Sequence, residues 1–349
     1  MRILKLVFVI FFCATAAAPF ISSKLAANAK KEIVPLPAQD PSQFVGNSSC
    51  AECHAEQVAR LAPTAHHKAK ADKASASAQS CESCHGGAKV HLEFHLTAQK
   101  LIKEGKDAEA EALQNDETKA KNASMIAFDK LTATQINASC MQCHSQMKEH
   151  AVWRGNKHEK AKLSCLDCHS MHHSPAAPTA DSKLFATAQA EGKLLKRRTE
   201  ADTCFQCHGD VRKAQFQRST HLFRNENREH QLSCSSCHEA HGSIGEKLMR
   251  TGSINETCYQ CHTEKRGPFL YEHSPVRESC ANCHKSHGSN NTALLNARAP
   301  MLCQQCHIQG RHQTVAGYSN SAFTMNRSCS TCHAAVHGSN HPSGINLQR

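Results

Sequence analysis

The sequence predicts a fold of loops and short α-helices with little β-structure, wrapped as an elongated array around a row of groups that are not polypeptide. Three observations carry this expectation. A five-residue motif, Cys-x-x-Cys-His, occurs ten times and takes up twenty of the 21 cysteines. Aromatic residues make up only 5% of the chain, and strand-forming runs are few. With roughly 32 residues available per motif, there is too little polypeptide to build ordinary cores between them.

Cys-x-x-Cys-His is the attachment signature of c-type haem. Two intervening residues make one helical turn, which brings both sulfurs to the same porphyrin edge for thioether formation. The following histidine then meets the iron from the proximal face. The cysteine pairs are Cys50 and Cys53, Cys81 and Cys84, Cys140 and Cys143, Cys165 and Cys168, Cys204 and Cys207. They continue with Cys234 and Cys237, Cys258 and Cys261, Cys280 and Cys283, Cys303 and Cys306, and Cys329 and Cys332. Chance would supply on the order of 0.1 such motifs. Disulfides or zinc would not require a histidine after every second cysteine, and here it is never missing. The expected fold is therefore a multihaem cytochrome c, with ten covalently attached haem c groups as the core.

The motifs fall into five two-haem units, with first-to-second separations of 31, 25, 30, 22 and 26 residues. A period in this range marks a repeat array in which each unit leans on its neighbours. Residues 1–29 read as a secretory signal peptide. Arg2 and Lys5 precede an apolar run too short to span a bilayer, Cys13 lies within it, and Ala27-Asn28-Ala29 offers a cleavage site. Residues 30–45 form a Pro-containing lead-in, 46–173 carry haems one to four, and 204–345 carry haems five to ten. Within the first block, the haem-free segment 86–139 contains an Ala/Glu/Lys/Leu-rich stretch expected to be helical and mostly solvated. Residues 174–203 are the candidate linker and bend.

The formal charge of +11 does not indicate a nucleic-acid partner. Without the basic residues of the signal peptide the balance is 38 basic to 30 acidic side chains, or +8. Ten haems shift this by about −10 when oxidised and −20 when reduced, so the excess offsets propionates. Export fits as well, because thioether attachment of haem takes place outside the bacterial inner membrane.

An electron carrier fills both axial positions of its iron, whereas an enzyme leaves one open. Of 26 histidines, ten are proximal: His54, His85, His144, His169, His208, His238, His262, His284, His307 and His333. Every segment after a motif offers a second ligand: His66 or His67, His91 or His95, His158 or His150, and His172 or His173. Further on these are His221 or His230, His241, His273, His287, His312, and His337 or His341. His172, His241 and His287 each lie three residues after a proximal histidine, too short a link to reach the opposite porphyrin face. They are expected to bind a neighbouring haem. No Cys-x-x-Cys-Lys occurs, so no motif carries the mark of a catalytic haem, and no enzyme activity is expected.

The ten-motif count, the segments HSPVRESCANCHKSHGS and LSCSSCHEAHGS, and the closing CHAAVHGSNHPSG resemble the MtrA/DmsE/PioA group of periplasmic decahaem cytochromes. The resemblance covers about residues 45–344. It implies a row of bis-histidine haems inserted into an outer-membrane β-barrel porin of the MtrB type. Its partners would be a periplasmic or inner-membrane c-type cytochrome and an extracellular cytochrome or terminal reductase. By the same resemblance the distal ligands are His66, His91, His158, His172, His221, His241, His273, His287, His312 and His337.

Overall fold

The computed structural model describes residues 40–62, 64–68, 81–172, 193–197, 199–221, 232–308, 328–342 and 344–347, all within one unit, Pro35–Arg349. The signal peptide, most of the lead-in, most of the 174–203 linker and His312 lie outside the described residues, as do His173 and His230.

Most helices are one or two turns long and begin or end at a motif. The first are α1 (Asn47–Ala51), which runs into Cys50, and α2 (Ala55–Leu61), which leaves His54. The haem-free segment supplies the longest, α3 (Lys89–Lys103), followed by α4 (Asp107–Asn115) and α5 (Glu117–Asn122). The single helical stretch expected there is broken twice. Gly105, at φ 72°, turns the chain after α3, and Asp116 caps α5 by accepting from the Lys119 N–H at 3.0 Å. Lys100 and Lys103 close α3 while Asp107 and Glu109 open α4, each sign facing the helix end it stabilises. Ala98, Ala110 and Ala123 bury the helix contacts, and most other side chains stay in water. Helix α6 (Ala133–His144) opens on a capping box, in which Thr132 Oγ1 accepts from Gln135 N at 3.3 Å and Gln135 Oε1 from Thr132 N at 3.0 Å. It carries the third motif in its last turn.

Among the described residues there is no strand, only isolated antiparallel bridges such as Ser219 to Ser289 and Tyr271 to Ser339. The only fully buried large side chain among them is a carboxylate. Glu82 accepts from the N–H groups of Val45 at 2.8 Å, Gly46 at 3.1 Å and Ala88 at 3.0 Å, tying the chain entry to the second motif. The polypeptide alone does not make a conventional apolar core.

Polar ties hold the two motifs of a unit together. Asn47, Asn137 and Asn255 each stand three residues before the first cysteine of a unit. Their Oδ1 atoms accept from the N–H of Cys81 at 2.9 Å, Cys165 at 2.8 Å and Cys280 at 2.7 Å. In the third unit Glu200 takes over, accepting from Ser235 N and Ser235 Oγ and pairing with Lys193 at 2.8 Å.

Candidate haem centres

Each motif histidine must be aimed by the turn that carries it, and in every described motif its N–H donates back to the first cysteine's carbonyl, as His54 does to Cys50 at 2.8 Å. This places the ring beside the two sulfurs. Opposite nine of the ten proximal rings stands a second imidazole. His54 faces His91 at 6.4 Å between ring centres, His85 faces His172 at 6.2 Å, and His144 faces His66 at 5.8 Å. His169 faces His241 at 5.9 Å, His208 faces His158 at 6.3 Å, and His238 faces His287 at 5.9 Å. His262 faces His221 at 6.5 Å, His284 faces His337 at 6.2 Å, and His307 faces His273 at 6.2 Å. Two imidazoles sharing one iron, with metal–nitrogen bonds of about 2.0 Å, have centres about 6.2 Å apart. The residues therefore fit haem. The remaining distal candidate, His312, lies outside the described residues.

The pairing follows a rule that exchanges ligands between units. A histidine between the two motifs of one unit faces the first-motif histidine of the next, as His66, His158, His221 and His273 do. A histidine after the second motif faces the second-motif histidine of the preceding unit, as His172, His241, His287 and His337 do. His91 alone faces a histidine of its own unit. The alternatives left open by spacing fall elsewhere. His95 packs against His91 at 4.5 Å, and His150 packs against His241 at 4.4 Å and His144 at 5.5 Å. Trp153 is buried with its ring 6.4 Å from that of His241.

An axial imidazole must be neutral, and burial works in that direction. It lowers the pKa of His66, His169, His287 and His337, and brings His241 to about 4 with His150 and His169 adding to the effect. The second ring nitrogen fixes which nitrogen faces the iron. At second motifs the proximal Nδ1 donates to a carbonyl on a left-handed hook: His169 to Lys193 O at 2.7 Å, His238 to Lys247 O at 3.0 Å, His284 to Ala293 O at 2.8 Å and His333 to Asn346 O at 2.5 Å. The residue after each acceptor is a leucine with positive φ: Leu194 (48°), Leu248 (57°), Leu294 (57°) and Leu347 (49°). Sequence reasoning missed these hooks, although x-Leu-x followed by Lys, Arg or Asn recurs at all four.

At the first motifs of the third, fourth and fifth units it is the distal ring that donates. His158 bonds Ala240 O at 2.9 Å, His221 bonds Ser286 O at 2.7 Å and His273 bonds Val336 O at 3.1 Å. Each acceptor sits immediately before the exchanged histidine of the next unit, and a glycine follows that histidine. Gly242, Gly288 and Gly338 have φ of 122°, 152° and 133°, and a Cβ there would fall 2.3 Å from Val152 O, 2.0 Å from Ala214 O and 2.3 Å from Phe269. One short segment thus supplies an imidazole to one facing pair and orients an imidazole of another.

Cysteine neighbours give the order of the sites. First cysteines lie near one another within units, where each acts on its neighbour's thiol: Cys50 with Cys81, Cys140 with Cys165, Cys204 with Cys234, Cys258 with Cys280 and Cys303 with Cys329. Second cysteines lie near one another between units. Burial raises the thiols of Cys84, Cys168, Cys237 and Cys283, and the nearby charges of Cys143, Cys207, Cys261 and Cys306 respectively add to it.

Residues 227–267 and 273–312 match the doubled CXXCH motif family, and residues 170–239 match the family of cytochrome c554 and c-prime. A multihaem cytochrome MtrA from Shewanella baltica (strain OS185) is 38% identical over 318 residues, covering 87% of this chain and 81% of that relative. With facing imidazoles spaced for iron and an identity of that extent, the chain belongs to the MtrA-type multihaem c-type cytochromes, which carry covalently bound haem and transfer electrons rather than act as enzymes.

Proposed function

We propose that this protein binds ten haems, each held by two histidines, and conducts electrons along them in sequence order. We further propose that it works in the periplasm and crosses the outer membrane inside a β-barrel porin, linking a periplasmic or inner-membrane cytochrome to an extracellular cytochrome or terminal reductase. One observation supports the relay above all: the cysteines lie near one another alternately within and between units, so each of the nine steps from first to tenth motif joins neighbours. Bound haem supplies iron that alternates between ferric and ferrous. The chain's own part is to hold sulfurs side by side, to fill both axial positions and so leave no place for a substrate.

Among the described residues no helix is long and apolar enough to cross a membrane. In this reading the barrel supplies the wall, its apolar band being about 25 Å tall. The test is twofold. The oxidised protein should bind ten haems by mass and show only low-spin ferric signals in electron paramagnetic resonance. It should also co-purify with a porin from outer membranes, and with it reduce an acceptor sealed inside vesicles. A stoichiometric high-spin signal overturns the closed relay, and recovery only from the soluble periplasm overturns the barrel.

A further inference from the structure

The nine facing pairs are not alike in their outer hydrogen bonds. In eight of them one ring Nδ1 donates to a backbone carbonyl: Ala123, Ile126, Lys193, Ala240, Lys247, Ser286, Ala293 or Val336. The pair His66 and His144 is the exception. His144 Nδ1 meets the Met147 sulfur at 2.8 Å, and His66 Nδ1 is buried with no partner among the described residues. The tail that should serve His66 by the exchange pattern reads Met171-His172-His173, without the glycine of the other three.

A carbonyl that accepts from an axial imidazole makes that ligand a better electron donor and favours ferric iron. A thioether is a weak acceptor, and an unpartnered buried N–H gives nothing. Burial of His66 acts in the same direction, since a poorly solvated site disfavours the extra positive charge of ferric iron. We propose that the haem held by His66 and His144 has the highest reduction potential of the nine with both rings described. Met147 is the positioning residue that keeps it there. The proposal rests on the axial pairing stated above. During stepwise reduction the third site fills before its neighbours and serves as the resting place for the first electron.

The test is a potentiometric titration of the purified holoprotein, followed by haem absorbance and by paramagnetic resonance. Met147→Gln offers His144 an amide carbonyl in place of sulfur, and Met147→Asn is a shorter alternative should the first not assemble. Either should move one haem's share of the absorbance change from the positive end of the titration to lower potential. Met147→Leu, which has no acceptor, should leave that share at the positive end. Curves for Met147→Gln or Met147→Asn that superimpose on wild type, with full haem content and low-spin spectra, overturn the proposal. So does an equal downward shift in Met147→Leu. Failure of the axial pairing itself looks different: it gives high-spin ferric iron already in the unmutated protein.

Discussion

The first unit and the junctions between later units meet the same requirement by different means. At a junction, two units trade histidines: His158 reaches forward to His208 while His241 reaches back to His169, and Ala240 O orients the former one residue before the latter. At the first unit the histidine facing His54 does not come from another unit. Helix α3 supplies His91 instead, and the chain after α5 supplies the Ala123 carbonyl that orients it at 3.1 Å. The haem-free segment thus does for the first unit what an adjacent unit does at a junction, as a capping element does in a repeat array. The difference explains why a helical insertion of this size occurs in the first gap between units.

The largest effect that would sharpen this comparison is removal of an exchanged ligand. His241→Ala should create one high-spin ferric haem and loosen the contact between the second and third units, seen as new amide exchange on both. His91→Ala should create the same spectral signal with exchange confined to α3–α5. Equal spreading in the two variants would break the contrast. Next come the glycines. Gly288→Ala forces a methyl against Ala214 O at positive φ, with an expected loss of about 2–4 kcal/mol in chemical denaturation. Gly105→Ala, at φ 72° with open space around it, should lose only about 1 kcal/mol.

A further expected effect concerns pH. Burial alone would raise the Glu200 carboxyl, but hydrogen bonds from Lys193 and Ser235 outweigh it and leave it below the ordinary value. A carboxylate lowered in the folded state adds stability that is present above its unfolded pKa and fades as pH falls through the folded one. Acid should therefore weaken the third unit, and Glu200→Gln should remove about 1–3 kcal/mol near neutrality while flattening the acid limb. An unchanged acid limb in that variant would assign the pH response to other carboxylates.

Much of this architecture was legible because thioether chemistry leaves so rigid a trace. The motifs, their grouping in twos and the spare histidines are matters of residue type and spacing. That His172, His241 and His287 face the histidines of an earlier motif follows from a three-residue tether that cannot round a porphyrin. The partner of each remaining histidine could not be read, because the exchange is set by which unit packs beside which. The hooks were hidden for another reason. Lys193, Lys247, Ala293 and Asn346 act through carbonyls, which every residue has, and the informative residue is a leucine in a conformation that leucine seldom adopts. Breaks at Gly105 and Asp116 were visible as residue types, but a continuous run of good helix formers masked them.

Because each module lends one histidine forward and one backward, deleting or duplicating an interior module leaves no iron short of a partner. The outgoing and incoming imidazoles simply find the next module along. Lineages can therefore lengthen or shorten such a cytochrome in steps of two motifs without redesigning any pairing.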